Sequence, residues 1–361
     1  MATTDIAFLS ATELGSAIKA KEISPVEAVE AYLDRIERID PQVNSYITVT
    51  AEHARQEALE AAKEIRRGDY RGPLHGIPMG LKDQIYTKGV RTTDASKIRS
   101  DFIPKFDATV VTNLKKAGAI MLGKLNMSEF AHGEPQSSAF GPARNPWDLT
   151  RSPGVSSSGS GAATAARLCA TSLGEDTGGS IRGPAANCGL VGLRPTWGRV
   201  SRYGVDGAGW SFDTIGPISR TVEDCAITIG GIAGYDSLDP STHNVPVPDY
   251  LAALTGDIKG LKVGVVKELL DPEELELDPQ MRQSVLTAIE VLAELGADVR
   301  QVSMPLAEKS GYITRAITHV DRVSLRPEYL RERPEGYHYN TKVHFTTANL
   351  IPAQVYYKAQ K

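Results

Sequence analysis

Fourteen of the chain's 33 glycines fall between residues 154 and 216. They are interleaved with Ser, Thr and Pro, and also with Leu168, Leu173, Ile181, Leu190, Val191 and Leu193. A flexible glycine linker has no such apolar framework. Glycine set among core residues marks backbone that takes positive φ or lies close against a ligand. The stretch therefore demands a core that holds tightly bent backbone, and it is where an active site is expected.

The flanks supply the core. Residues 1–70 read as a helical arm: Ser24-Pro25-Val26-Glu27 is a capping box with Pro at the first helical position. Val26, Val29, Leu33 and Ile36 then recur at helical spacing, and Asp40-Pro41 is expected to stop the run. A second helix is expected from Ala51 to Arg67, ending at Gly68. From residue 75 the pattern alternates. Ile77–Leu81 reads as a strand, Asp107 as the start of a helix ending at Gly118, and Ala119–Leu122 as a strand. The unit recurs as strand Leu261–Val266, helix Pro279–Leu295 and strand Val299–Val302. Alternating strands and helices predict an α/β/α sandwich, with a mixed, mostly parallel twisted sheet covered by helices. The expected organisation is an arm over 1–70 and a domain over 71–361, with its catalytic core at 150–220.

Composition excludes several classes. With 41% hydrophobic and 23% charged residues the chain has the profile of a globular protein. A net charge of −4 gives no reason to expect nucleic acid or an anionic membrane as partner. No window is apolar for 18 residues and no signal peptide is visible, so no membrane span is expected. Cys169, Cys188 and Cys225 are too few and scattered for a disulfide framework or zinc site. Buried thiols in a reducing cytoplasm, with neither metal nor cofactor, are the expectation.

Three segments carry chemistry: Gly80-Leu81-Lys82-Asp83, the serine-rich run from Ser152 to Gly161, and Asp176-Thr177-Gly178-Gly179-Ser180-Ile181-Arg182. Each has an ordinary reading alone: a surface lysine, a loop, a helix N-cap. A serine can act as a nucleophile when an adjacent base activates its hydroxyl. His75 and His132 lie near these segments without a triad signature. A lysine can serve if burial keeps it neutral, and Lys82 follows an apolar strand.

Together the segments resemble the amidase signature family. Gly154–Gly161 resembles its Gly-Gly-Ser-Ser-Gly-Gly-Ser block, Asp176–Arg182 its nucleophile segment, and Ser156 and Ser180 keep the spacing of its two serines. Gly76-Ile77-Pro78, Gly123-Lys124, Asn126-Met127, Phe140-Gly141-Pro142, Arg144-Asn145-Pro146 and Gly216-Pro217 extend the resemblance over about residues 5–300. It implies Ser180 as nucleophile, with Lys82 taking a proton from Ser156, which takes one from Ser180, and a cis bond before Ser156. It also implies an oxyanion hole of N–H groups from Thr177, Gly178, Gly179 and Ser180. Arg182 is expected to tie the loop to Asp176. Met127, Phe130, Ser157, Trp210, Phe212 and Tyr312 are the expected substrate contacts. Trp210, Phe212 and Tyr312 point to an apolar or aryl group on an amide or carbamate.

The activity implied is hydrolysis of an amide or related C–N acyl bond through an acyl-enzyme, by a monomer or homodimer free of other partners. The alternative within the family is the glutaminase subunit of a tRNA-dependent amidotransferase, to which Pro195–Gly204 is very similar. Residues 307–345 depart from that subunit: no basic residue to grip a glutamine carboxylate is recognisable around Asn340–Thr347, and Thr214 stands where Gln is usual. Val155 and Glu175 are further departures. Family members continue past the position of Lys361 into a strand-and-helix segment, so a C-terminal part truncated or cleaved after Lys361 is the expectation. A phosphate-binding loop at Gly159-Ser160-Gly161 fails for want of a third glycine and of a Gly-Lys-Ser/Thr.

Overall fold

The computed structural model describes residues 6–132, 135–270 and 277–361. In chain order its main elements are α1 (Ala11–Lys19), α2 (Pro25–Val43), β1 (Tyr46–Val49), α3 (Ala51–Arg67), β2 (Pro78–Lys82), α4 (Thr109–Ala117) and β3 (Ile120–Leu125). Then come α5 (Ser158–Ala165), β4 (Thr171–Asp176), α6 (Arg182–Cys188), β5 (Val191–Gly192), β6 (Thr214–Ser219) and α7 (Val222–Ile232). The last are β7 (Lys262–Val266), α8 (Pro279–Glu294), β8 (Asp298–Val302), α9 (Ser310–Leu325), α10 (Pro327–Glu332), α11 (Tyr339–Ala348) and α12 (Ala353–Gln360).

Six strands form one sheet in the order β1-β3-β2-β4-β6-β5. It is mixed: β3, β2 and β4 run parallel at the centre, while β1, β6 and β5 join antiparallel. The expected α/β architecture is present. Every residue of β2, β3, β4 and β6 is buried, as central strands covered on both faces must be.

The chain divides into two compact units, one comprising residues 1–251 and 318–351, the other 252–317 and 352–361. Two expectations change here. The expected arm over 1–70 does not stand apart, because Leu14, Ile18, Tyr32 and Ile65 are buried in the same core as Met79, Leu122 and Leu173. The later strand–helix–strand does not extend the large sheet either; β7 and β8 pair in parallel as a separate two-stranded sheet of the second unit.

The capping box at Ser24 and Glu27 forms as expected. Pro41 does not stop α2; it sits in the last turn, and the helix ends at Asn44, whose φ of +54° turns the chain. Likewise α4 begins at Thr109 rather than Asp107, whose carboxylate accepts from Lys88 N and Lys115 Nζ instead.

Candidate active site

Because β2 and β4 are parallel neighbours, their C-terminal ends open at the same sheet edge. Lys82 closes β2 and Glu175-Asp176 close β4, so the two segments meet. The serine-rich loop enters α5 beside them. A Cβ on Gly159 would lie 2.4 Å from Asn126 N and from Ser45 O, so only glycine lets α5 start this close to β3.

Lys82 and Glu175 are wholly buried. The Lys82 ammonium donates to Ser156 Oγ at 2.8 Å, to the Glu175 carbonyl at 3.2 Å and to Glu175 Oε2 at 3.1 Å. Three N–H groups meet three acceptors, which is the arrangement of a charged amine. Burial pushes the Lys82 amine below its ordinary value, and the Glu175 carboxylate pulls against that. The bond between Val155 and Ser156 is cis. Ser157 N donates to Ser180 O at 3.3 Å, joining the two serine loops. Among the described residues no hydrogen bond joins the Ser156 and Ser180 hydroxyls.

Asp176 organises the loop that carries Ser180. Its carboxylate accepts from Gly179 N at 2.7 Å, from Ile181 N at 3.1 Å and from Arg182 Nε and Nη2, both at 3.1 Å. Arg194 Nη1 adds a contact at 3.1 Å, and Arg194 Nη2 donates to Phe212 O at 2.7 Å. Burial pulls Asp176 upward, but the Arg182 and backbone donors prevail and hold it down to about 2. The expected Arg182–Asp176 tie is therefore formed, with a second arginine that no local motif announced. Gly179, at φ +128°, turns its N–H inward to Asp176, which leaves Thr177, Gly178 and Ser180 as the oxyanion donors to consider.

The expected pocket residues scatter. Met127 is buried in a small cluster with Ala95, Ala131 and Ala208. Phe130 is buried against Tyr337 and Phe345, under the Arg326 guanidinium, so it belongs to an aromatic core and not to an open pocket wall. Ser157 is buried too; its hydroxyl donates to Glu175 O at 3.2 Å and stands 3.3 Å from Glu175 N, stapling α5 to β4. Trp210 is exposed, with the Arg202 guanidinium 4.5 Å from its ring, and Phe212 is half-buried. Tyr312 lies in the second unit and is exposed.

Sequence reasoning missed a second layer. Asp213 accepts from Ala208 N at 2.9 Å and Gly209 N at 2.8 Å. Arg322 of α9 donates from Nε to Ala208 O at 2.9 Å, and its Nη1 stands 3.1 Å from His132 Nδ1. His132 clusters with His319 and His344, and burial first, then Arg322, pushes it down to about 2. Among the described residues no group of three or more His, Cys, Asp or Glu is placed to hold a metal ion. The three cysteines are buried thiols, and no described helix is long and apolar enough to cross a membrane.

A family model described as Amidase matches residues 27–353. The chain belongs to the amidase signature family. Among curated family relatives, a glutamyl-tRNA(Gln) amidotransferase subunit from Geobacter sp. (strain M21) is 51% identical over 301 residues, 83% of this chain and 61% of that protein. This chain thus spans about three fifths of the length of the curated relatives it matches. A solved structure, described as a vestigial complex bearing on the origins of an s-triazine catabolic enzyme, superposes with a TM-score of 0.92 at 35% identity. It covers 98% of this chain and 76% of that one. The peptide amidase of Stenotrophomonas maltophilia superposes with a TM-score of 0.86 at 32% identity, over 97% of this chain and 77% of its own.

Proposed function

We propose that this chain cleaves a carboxamide C–N bond by acyl transfer to Ser180, with Lys82 and Ser156 as its proton relay. The observation that carries this reading is the 2.8 Å contact between a wholly buried amine and Ser156, one peptide bond from the residue whose N–H reaches the Ser180 carbonyl. Once neutral, Lys82 takes the Ser156 proton as Ser156 takes that of Ser180, and the Ser180 oxygen attacks the carbonyl. N–H groups among those of Thr177, Gly178 and Ser180 receive the developing oxyanion. The relay then returns a proton to the departing nitrogen, and water releases the acyl group by the same steps.

Glutamine is the amide we assign, with this chain acting as the glutaminase subunit of a tRNA-dependent amidotransferase that passes ammonia to a partner protein. Half-identity with relatives named as amidotransferase subunits supports it, reversing the order in which the two readings are expected from sequence. Under this reading a lone monomer or homodimer is not the working assembly, and the setting is cytoplasmic. A free-standing amidase is the second reading, favoured by the departures at Thr214 and over 307–345 and by the likeness to a peptide amidase.

Ammonia release is to be measured from glutamine, aryl amides, aliphatic amides and carbamates, with and without the partner proteins and tRNA. Glutamine cleavage that rises with the partners supports the first reading. Equal turnover of an aryl or aliphatic amide by the chain alone selects the second. Failure of a serine-directed fluorophosphonate to label Ser180 would defeat both.

A further inference from the structure

Beyond the relay lies an arrangement that hydrogen-bond counting cannot satisfy with ionised carboxylates. Thr177 Oγ1 stands 2.8 Å from Glu175 Oε1 and 2.7 Å from Asp213 Oδ1, with all three residues buried. A hydroxyl has one proton to give and a carboxylate has none. If both acids were ionised, one of the two contacts would set oxygen lone pairs against each other in a buried site. One carboxyl must therefore carry a proton and donate it to Thr177.

We propose that Glu175, Thr177 and Asp213 share one proton as positioning residues, with Asp213 as the acid form, so that an ionised Glu175 fixes the working pH of Lys82. This inference rests on the relay reading of Lys82.

Geometry decides which acid is protonated. Glu175 Oε2 faces the Lys82 ammonium at 3.1 Å, which stabilises its charge. Asp213 has no cation within ion-pair distance among the described residues and answers to backbone N–H groups of Ala208 and Gly209. Burial, then the like charge of Glu175, pushes Asp213 up to about 7. The charged groups bearing on the triplet are Lys82 from β2, Asp176 from β4 with Arg182 and Arg194, and Arg322 and Asp321 from α9. Asp94 lies beyond Lys82, and His132 beyond Arg322. Read from Asp213, the order of donors is Asp213 O–H to Thr177, Thr177 O–H to Glu175, and Lys82 N–H to Glu175. Glu175, the departure from the family pattern, is thus the group joining the relay lysine to a proton store.

Two measurements on the whole chain test this. First, the infrared spectrum at pH 6 should lose one carboxylic-acid C=O band in Asp213→Asn, whose amide can still donate to Thr177, while the buried Asp83 carboxyl, pushed up to about 6 by burial, absorbs equally in both. In Glu175→Gln the pH at which the band fades should fall, because the like charge that adds to burial in keeping Asp213 protonated is gone. A carboxylic-acid band unchanged between the wild type and Asp213→Asn overturns the shared proton. Second, the pH dependence of Ser180 labelling by a fluorophosphonate should rise through the Lys82 titration. In Glu175→Gln that rise should move about 1–3 pH units lower, since the opposite charge holding the ammonium is removed. A profile that keeps its midpoint while only its height falls would make Glu175 merely structural and overturn the assignment. Absence of labelling in the wild-type chain would sink the relay reading instead, and the infrared band would still decide the shared proton.

Discussion

Two lysines lie on adjacent strands of the same sheet, wholly buried, and they have different partners. Lys82 closes β2 and reaches a serine hydroxyl and an acid; Lys124, paired in register with Leu81, reaches Ile85 O at 2.6 Å and Thr92 Oγ1 at 2.7 Å, with Asp83 Oδ1 at 3.9 Å. Burial lowers both, Lys124 to about 8. Desolvation alone therefore does not make a base. What distinguishes Lys82 is that one acceptor, Ser156, belongs to the loop that Ser157 N ties to the Ser180 carbonyl, whereas Lys124 is enclosed by groups that hold the β2–β3 region together.

That contrast can be broken or sharpened by substitution. Ser180→Ala should remove the chemistry Lys82 serves, lowering kcat by roughly 10⁶-fold, with a melting curve like that of the wild type; residual turnover above a trace would point to another nucleophile. Lys82→Arg should lower kcat by about 10²–10⁴-fold, because guanidinium keeps its charge and cannot accept the proton; a near wild-type kcat would make Lys82 no different in kind from Lys124. Lys124→Met should do the reverse. Chemical denaturation should show a loss of about 3 kcal/mol from the abandoned buried partners, while the folded fraction labels at Ser180 at the normal rate.

The acids beside Lys82 give a smaller effect. Asp176, held down to about 2, is depressed relative to the unfolded chain, so its stabilisation is present above about pH 4 and is lost as pH falls towards 2. Asp176→Asn should then cost about 2 kcal/mol near neutrality and flatten the acid limb of the stability–pH curve; an unchanged limb would show that Arg182 and Arg194 contribute nothing there. The smallest effect is expected at Trp210, an exposed ring. Trp210→Ala should cost about 0.5–1 kcal/mol through loss of the Arg202 stack and raise KM without changing kcat. A fall in kcat would bring the indole into the chemistry.

Local chemistry makes much of this readable in sequence. A capping box needs only four consecutive residues, so α2 is legible at Ser24, and the Asp176–Arg182 tie spans a single turn. Pro41 misleads because the buried face of α2, which runs on to Val43, holds the last turn in place despite the backbone bond that proline removes. Phe130 and Ser157 sit beside the motif residues in sequence, but packing turns one into an aromatic core and the other onto β4. Glu175 and Asp213 meet only because β4 and β6 pair antiparallel, with Glu175 opposite Ile215. Arg322 meets Ala208 only when α9 folds back. No local pattern encodes such long closures.

The last two residues of β4 also carry a consequence for how this chain tolerates change. Successive side chains of a strand point to opposite faces. Glu175 thus turns to the lysine and Asp176 to the two arginines, from neighbouring positions. A deletion or insertion of one residue between Thr171 and Leu173 would leave the composition of the strand end intact and exchange the two addresses. The acid meant for the arginines would confront the amine, and the other would face the Thr177–Ser180 turn. Evolution can therefore exchange residues along this strand more freely than it can alter the strand's length, since the assignment of the two charges is a matter of parity.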